Sequence, residues 1–146
     1  MLNKIVILIS IVVFNITTVI ATEIAPKITV YKSPTCGCCK KWVSHLKQNG
    51  FDVSTHDVNS VVPYKEKNNV EPRLYSCHTA TIKGYVIEGH VPAKDILRLL
   101  KNRPAITGLS VPGMPKGSPG MEMGDKKDPY SVISFDREGV KKIYSQ

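Results

Sequence analysis

The sequence predicts a single α/β domain in which a mixed β-sheet is flanked by helices. Short runs of β-branched and aromatic residues alternate with amphipathic segments, in the order strand, helix, strand, helix, hairpin, helix. The chain then ends in a loop rich in methionine, glycine and proline and in a second β-hairpin. We assign residues 22–146 to one domain, because roughly 125 residues are enough to build one hydrophobic core.

The first 21 residues have the pattern of a secretory signal peptide. A positive charge at Lys4 precedes a largely apolar stretch, which ends with the small residue Ala21. A membrane-spanning helix needs roughly 20 apolar residues, and this stretch is shorter and interrupted by polar ones. We therefore expect cleavage after Ala21, a periplasmic protein, and no stable membrane anchor in the mature chain.

The chain is basic, with a formal net charge of +8. A basic exported protein does not meet chromosomal DNA, and the basic and aromatic residues do not alternate as they do on nucleic-acid-binding surfaces. We therefore interpret the charge as a solvated cationic surface and expect no nucleic-acid partner.

The mature chain opens with a strand that leads into a helix. Residues 28–31 are β-branched and aromatic, which predicts the strand. Cys39, Val43 and Leu46 then recur at positions i, i+4 and i+7, which predicts the buried stripe of a helix that ends at Gly50. The turn between these two elements contains most of the cysteines.

Further elements follow in a regular order. A second strand is predicted at 51–58, a short polar helix at 60–69, a hairpin at 78–82 and 85–90, and a helix at 92–103. The predicted buried stripe of this last helix consists of Ile96, Leu97, Leu99 and Leu100. This layout is typical of a thioredoxin-like α/β domain.

The C-terminal part changes in composition. Residues 108–129 predict a long irregular loop, and loops of this length are usually functional or disordered. The methionines of this loop are Met114, Met121 and Met123. A thioether is a soft ligand that suits Cu(I), so we expect at least one of them to be a metal ligand. Residues 131–135 and 140–144 predict the closing hairpin.

Three of the four cysteines, Cys36, Cys38 and Cys39, lie at the junction between the first strand and the first helix. A helix N-terminus favours thiolate over thiol, because free backbone N–H groups and the helix dipole stabilise negative charge. The cysteines are too close together to brace distant parts of a domain of this size. We therefore predict a chemical site at this turn.

The predicted topology brings more donors to the same end of the sheet. If the third strand runs antiparallel to the first, Cys77 and His78 begin it next to the cysteine turn, and the fourth strand returns to His90. His45 lies among lysines on the first helix, and His56 lies on the second strand. We expect both of these to be surface residues.

A soft-metal site is the first interpretation of this cluster. Cys38 and Cys39 are adjacent in a helix and point about 100° apart, so they do not easily chelate one ion, but each can bridge two ions. Copper(I) is soft and accepts shared thiolates well. We therefore predict several Cu(I) ions per chain. The candidate ligands are Cys36, Cys38, Cys39, Cys77, His78, His90, Met114 and Met121.

A thiol–disulfide oxidoreductase is the alternative. Its exposed nucleophile would be Cys36 and its resolving thiol Cys39, which have C-x-x-C spacing. Two features count against it. Cys38 lies within the pair. In addition, the corner that faces the motif carries Cys77 and the His78 imidazole, where thioredoxin-type enzymes place a cis-proline. Structural disulfides are a third possibility, because oxidising compartments favour them.

Four motifs, in order along the chain, resemble a known family. They are Y-K-S-P-T-C-G-C-C-K-K-W at 31–42, S-C-H-T-A at 76–80, G-Y-V-I-E-G-H-V-P at 84–92 and V-P-G-M-P-K-G-S-P-G-M-E at 111–122. Over nearly all of its mature length the chain resembles the small exported thioredoxin-like family labelled a domain of unknown function, which includes the periplasmic copper-resistance proteins called CopG. The resemblance implies a multinuclear, cysteine-bridged copper cluster bound by Cys36, Cys38, Cys39 and Cys77. We expect copper ions and other periplasmic copper-handling proteins as partners.

Overall fold

A computed structural model describes residues 24–139 and 141–146. The predicted signal peptide lies outside the described residues, as does Val140 of the closing hairpin. The strands of the described chain are β1 (Lys27–Lys32), β2 (Asp52–Asp57), β3 (Thr79–Ile82), β4 (Tyr85–Glu88), β5 (Gly108–Ser110), β6 (Val132–Phe135) and β7 (Lys141–Ser145). The helices are α1 (Gly37–Gln48), α2 (Val62–Lys67) and α3 (Ala93–Asn102), and a 3₁₀ turn covers Pro72–Leu74.

The strands form one mixed sheet in the order β2-β1-β3-β4-β5-β6-β7. β1 pairs in parallel with β2 and antiparallel with β3, and β4 returns antiparallel to β3. The end of β1 therefore lies beside the start of β3 and the end of β4. The predicted α/β class, with a mixed sheet, helices and a C-terminal hairpin, is confirmed, and the arrangement is consistent with a thioredoxin-like fold.

Helix α1 begins directly after the cysteine turn. Cys36 is its N-cap residue, and the Cys36 Sγ accepts a hydrogen bond from the Cys39 N–H at 3.3 Å. The predicted stripe of Cys39, Val43 and Leu46 is buried, and Trp42 is buried beside it. Packing of this stripe on the sheet therefore fixes where the cysteine turn lies.

Helices α1 and α3 cover one face of the sheet. The strand residues in this main core are Ile28, Val30, Ala80, Ile82, Ile87 and Leu109, and the helix residues include Trp42, Leu46, Ile96 and Leu99. Val86 points to the opposite face from Ile87, because side chains alternate along a strand. There it packs with Val70, Leu74 and Phe135 in a second, smaller cluster.

Two predictions about local structure are wrong. Gly108–Ser110, expected within the irregular loop, forms β5 and pairs in parallel with β4. A Cβ at Gly108 would lie 2.0 Å from the Val86 carbonyl oxygen, so glycine is what allows the two strands to approach. Leu97, predicted to be buried, is 42% exposed, since it lies beside the buried stripe of α3.

Within residues 24–139 and 141–146, the helices are too short or too polar to span a bilayer.

Candidate metal centre

The cysteine turn contains a disulfide with a free thiol beside it. Cys36 and Cys39 are joined by the disulfide, whereas Cys38 and Cys77 are free. The Cys38 Sγ lies 3.4 Å from the Cys36 Sγ. Cys36 is half-buried and Cys39 is fully buried against the core. The predicted C-x-x-C pair therefore forms a disulfide, and the Cys38 thiol lies next to it.

Cys77 lies at the centre of the site. Its Sγ is 3.9 Å from the Cys38 Sγ and 3.5 Å from the Cys39 Sγ. It is also 3.3 Å from Nδ1 of His78 and 3.0 Å from Nε2 of His90. Cys77 thus belongs both to a group of four cysteines and to a cysteine–histidine group. The structure brings together the six cysteines and histidines that the sequence predicts at this site.

Burial favours the uncharged forms of these donors. The pKa of the Cys77 thiol is raised to about 12, by burial first and then by the neighbouring Cys38 sulfur. Burial, followed by the nearby His90, lowers the pKa of His78 well below its usual value, and burial also lowers the pKa of His90. Metals bind neutral imidazole and thiolate. The two imidazoles are therefore in the binding form, whereas Cys77 must lose a proton to bind a metal.

His78 has a buried ring nitrogen with no protein partner. Its side chain is fully buried, and its ring centroid lies 4.3 Å from that of Trp42 and 5.0 Å from that of His90. Among the described residues, nothing forms a hydrogen bond with His78 Nε2. An unpaired buried polar atom costs about 1–3 kcal/mol, so this nitrogen is available for a ligand.

The tautomer of His90 follows from its contact with the C-terminal loop. His90 Nδ1 lies 2.8 Å from the Pro119 carbonyl oxygen, which can only accept a hydrogen bond. Nδ1 therefore donates its proton there, and Nε2 is the unprotonated nitrogen that faces Cys77. Histidines that bind metals commonly donate their other ring N–H to a carbonyl in this way.

A buried carboxylate holds the segment that carries Cys77. Glu88, which is fully buried, accepts hydrogen bonds from the Ser76 N–H at 2.6 Å and from the Thr79 hydroxyl at 2.7 Å, on either side of that segment. Lys65, from α2, forms an ion pair with Glu88 and donates a hydrogen bond to the Thr79 hydroxyl at 3.1 Å. The Lys65–Glu88 ion pair therefore fixes both ends of the Cys77 segment.

The methionine loop, residues 112–129, packs against the cysteine turn through its backbone. A Cβ at Gly120 would lie 2.7 Å from the Trp42 backbone nitrogen and 2.8 Å from the Cys38 carbonyl oxygen. Met121 follows Gly120 and is half-buried, whereas Met114 is 52% exposed. Met121 is thus one residue from the contact between Gly120 and the backbone of α1. A ligand role for the thioether of Met114 or Met121 stays a prediction.

The spacing of the donors fits soft metal ions. Two thiolates that bind one ion at ~2.3 Å lie roughly 3.8 Å apart in tetrahedral geometry. The Cys77 sulfur is 3.9 Å from that of Cys38, which is close to this value. It is 3.5 Å from the Cys39 sulfur, which becomes a thiolate only after the disulfide is reduced. His78 Nδ1, at 3.3 Å from the Cys77 sulfur, and the unprotonated His90 Nε2, at 3.0 Å, add nitrogen donors. A sulfur with donors on several sides is suited to bridging ions.

Sequence reasoning missed the structural roles of three residues, two of which, Lys65 and Glu88, support the site. His45, predicted at the surface, is half-buried, and its Nε2 accepts a hydrogen bond from the Ala93 N–H at 3.1 Å, at the start of α3. His56 is exposed, as predicted. Lys65 and Glu88 were overlooked because a charged residue in a polar helix and one at a strand end are usually solvated. No local pattern signals that two such residues meet.

Comparison with known proteins identifies the family. A family model described as "Protein of unknown function, DUF411" matches residues 74–121. No curated protein matches the chain. The solved structure named "Copper resistance protein copG- Form 2" is 44% identical, with a TM-score of 0.79, and the match covers 83% of this chain and 97% of that one. For "Copper resistance protein copG- Form 1" the identity is 45%, the TM-score is 0.79 and the coverage is 83% and 96%. The chain therefore belongs to the family of the copper resistance protein CopG.

Proposed function

We propose that this protein acts in copper resistance or homeostasis in the periplasm by holding several Cu(I) ions in a cysteine-bridged site. The observation that carries the proposal is the position of the Cys77 Sγ, which has three donor atoms outside the disulfide within 3.0–3.9 Å, namely the Cys38 Sγ, His78 Nδ1 and His90 Nε2. Such a sulfur is suited to a thiolate that two ions share. Reduction of the Cys36–Cys39 disulfide adds two more thiolates beside it.

Copper(I) suits this donor set better than zinc does. A structural zinc site normally takes its four ligands from pairs of separated residues. Here four sulfurs crowd into one cluster, and soft thiolate and thioether ligands select Cu(I). The proposed ligands are Cys36, Cys38, Cys39, Cys77, His78 and His90, together with Met114 and Met121 from the methionine loop.

The relatives and the N-terminal sequence support the cellular setting of the proposal. The solved relatives are named copper resistance proteins. The signal-peptide pattern of residues 1–21 supports export, after which cleavage leaves no membrane anchor. Other copper-handling proteins of the periplasm are then the expected partners.

The copper content of the reduced protein tests this proposal. We expect more than one copper per chain when the purified, fully reduced protein is loaded with Cu(I) without oxygen and separated from excess metal. His56→Ala serves as a control, since this exposed imidazole lies outside the cluster and should leave the copper content unchanged. A single bound zinc, or no metal with the four cysteines in two disulfides, would contradict the proposal.

A thiol–disulfide oxidoreductase is the second candidate, favoured by the disulfide between Cys36 and Cys39. After reduction, the Cys39 N–H that faces the Cys36 Sγ at 3.3 Å would stabilise a Cys36 thiolate. Such an enzyme should reduce the disulfides of insulin, and Cys36→Ser should abolish this activity. Inactivity of the fully reduced, metal-free protein would count against it.

A further inference from the structure

The disulfide and the metal site use the same sulfur atoms. Cys36 and Cys39 are bonded to each other, and a sulfur in a disulfide is no longer a thiolate ligand. Cys38 and Cys77 stay free, with their sulfurs 3.9 Å apart. Closing the disulfide therefore halves the number of thiolates that the site can offer.

The donors that the disulfide leaves untouched still form a group. Cys77, His78 and His90 offer one sulfur and two nitrogens that all lie within 4.8 Å of one another. Cys38 adds a second sulfur, next to Cys77. Two sulfurs and two nitrogens are enough ligands for one tetrahedral ion. We call these four residues the residual site.

We propose that the Cys36–Cys39 disulfide sets how much copper the protein holds: the dithiol form binds several Cu(I) ions, and the disulfide form binds one ion in the residual site. This inference rests on the proposed function and adds a form of regulation to it. Its physical basis is the number of ligands, because ions that depend on Cys36 or Cys39 lose those bonds when the disulfide forms.

The switching step is a thiol–disulfide exchange with a small disulfide such as glutathione disulfide. Cys36 is half-buried and Cys39 fully buried, so the external disulfide reacts first with Cys36 and forms a mixed disulfide. The Cys39 sulfur then attacks the Cys36 sulfur and displaces glutathione. The S–S bond of glutathione disulfide breaks, two electrons pass to it, and a new S–S bond joins the two cysteines. Two protons, from the cysteine thiols or from solvent if copper was bound, complete the two glutathione thiols. Copper stays Cu(I) throughout.

Copper loading and the disulfide should then oppose each other. A ligand that binds one form of a protein more tightly shifts the equilibrium toward that form, and the effect is reciprocal. Cu(I) should therefore make the Cys36–Cys39 pair harder to oxidise. Conversely, forming the disulfide should release copper.

The test compares the two redox forms of the wild-type protein. Each form is set in a glutathione buffer without oxygen, loaded with Cu(I) and assayed for copper per chain, while alkylation and peptide mass spectrometry map the thiols. We expect more than one copper in the dithiol form and one in the Cys36–Cys39 disulfide form. Equal copper in the two forms, or none in the disulfide form, would overturn the inference. No copper in the dithiol form would instead overturn the proposed function itself.

Two double variants separate the pair from the residual site. Cys36→Ser/Cys39→Ser should bind one copper whether or not glutathione disulfide is present. Cys38→Ser/Cys77→Ser keeps the pair but should bind no copper once the pair is oxidised. Circular dichroism checks that both fold, and the wild-type comparison stands without them. Wild-type copper content in Cys36→Ser/Cys39→Ser would overturn the inference.

Discussion

The two sides of the candidate metal centre are built in different ways. The candidate ligands on the sheet, Cys77, His78 and His90, lie at the start of β3 and just beyond the end of β4, and both histidines are fully buried. The methionine loop leaves Met114 and Met123 more than half exposed, at 52% and 62%. Donors on the sheet are therefore held in place before any metal binds, whereas those on the loop can adapt to what is bound.

The two sides also differ in what supports them. The Cys77 segment is fixed by hydrogen bonds to the buried Glu88, which is itself paired with Lys65. The methionine loop is fixed by a close backbone contact at Gly120 and by the hydrogen bond from His90 to the Pro119 carbonyl. Substitutions in these supports should reveal which side determines copper binding.

Replacing Cys77 should have the largest effect. Cys77→Ser removes the sulfur that contacts both cysteine and histidine donors, so we expect at most one copper per chain. The Cu(I) affinity, measured by competition with a chelator, should fall by more than the roughly 10–100-fold seen when a residue that merely supports a metal ligand is lost. If Cys77→Ser kept the wild-type copper content, the sheet side would not be the centre of the site.

Breaking the buried Lys65–Glu88 ion pair should have the second largest effect on copper binding. Glu88→Leu leaves the Lys65 ammonium buried without its partner, which should lower the free energy of unfolding by about 3–5 kcal/mol. It also frees both ends of the Cys77 segment, so the Cu(I) affinity should fall by roughly 10–100-fold. Urea unfolding of the metal-free protein and chelator competition measure the two effects.

The exposed Lys27–Asp52 pair provides the control for Glu88. Its side chains are 75% and 54% exposed and 3.7 Å apart, so Asp52→Ala should change stability by less than ~1 kcal/mol. Asp52→Ala should not affect copper binding. Should Glu88→Leu lower stability but leave the affinity for Cu(I) unchanged, the ion pair would support the fold alone.

The contact at Gly120 should matter less than the ion pair. Gly120 and Gly124 both have positive φ, at 86° and 66°, so an alanine at either position costs about 1–2 kcal/mol in backbone conformation. Only at Gly120 would the new Cβ meet the backbone of α1, since nothing lies within 4 Å at Gly124. We expect Gly120→Ala to weaken Cu(I) binding several-fold more than Gly124→Ala, as measured by chelator competition. If both variants weakened Cu(I) binding equally, the position of the methionine loop against α1 would not matter for copper binding.

The methionines should give the smallest effects. Met114→Leu and Met121→Leu remove a thioether but keep a similar volume, so we expect unchanged stability and at most about a tenfold loss of Cu(I) affinity. Met123→Leu is the matched control, because Met123 lies on the same loop and is the most exposed of the three. If all three variants bind copper like the wild type, neither Met114 nor Met121 is a ligand.

Periodicity and topology were enough to predict the sheet side of the centre. The stripe of Cys39, Val43 and Leu46 placed α1, and the alternation of strands then required Cys77 and His90 to lie near the cysteine turn. These inferences depend only on local patterns and on the direction of neighbouring strands. The local patterns and the strand directions can both be inferred from the amino-acid sequence.

The supports could not be predicted in the same way. Lys65 and Glu88 are 23 residues apart and meet only because α2 packs over the face of the sheet that carries Glu88. Strand β5 is three residues long and forms because β4 pairs with it, which no run of that length can signal. Gly120 could be recognised as a turn residue, but its neighbour on α1 depends on how the whole loop folds back.

X-ray absorption at the copper edge, on fully reduced protein loaded with Cu(I), tests the central claim most directly. If several ions share the thiolates around Cys77, the spectrum should contain a copper–sulfur shell together with a copper–copper shell. A spectrum with nitrogen or oxygen neighbours alone, or with copper–sulfur scattering but no second copper, would contradict a cysteine-bridged site for several ions.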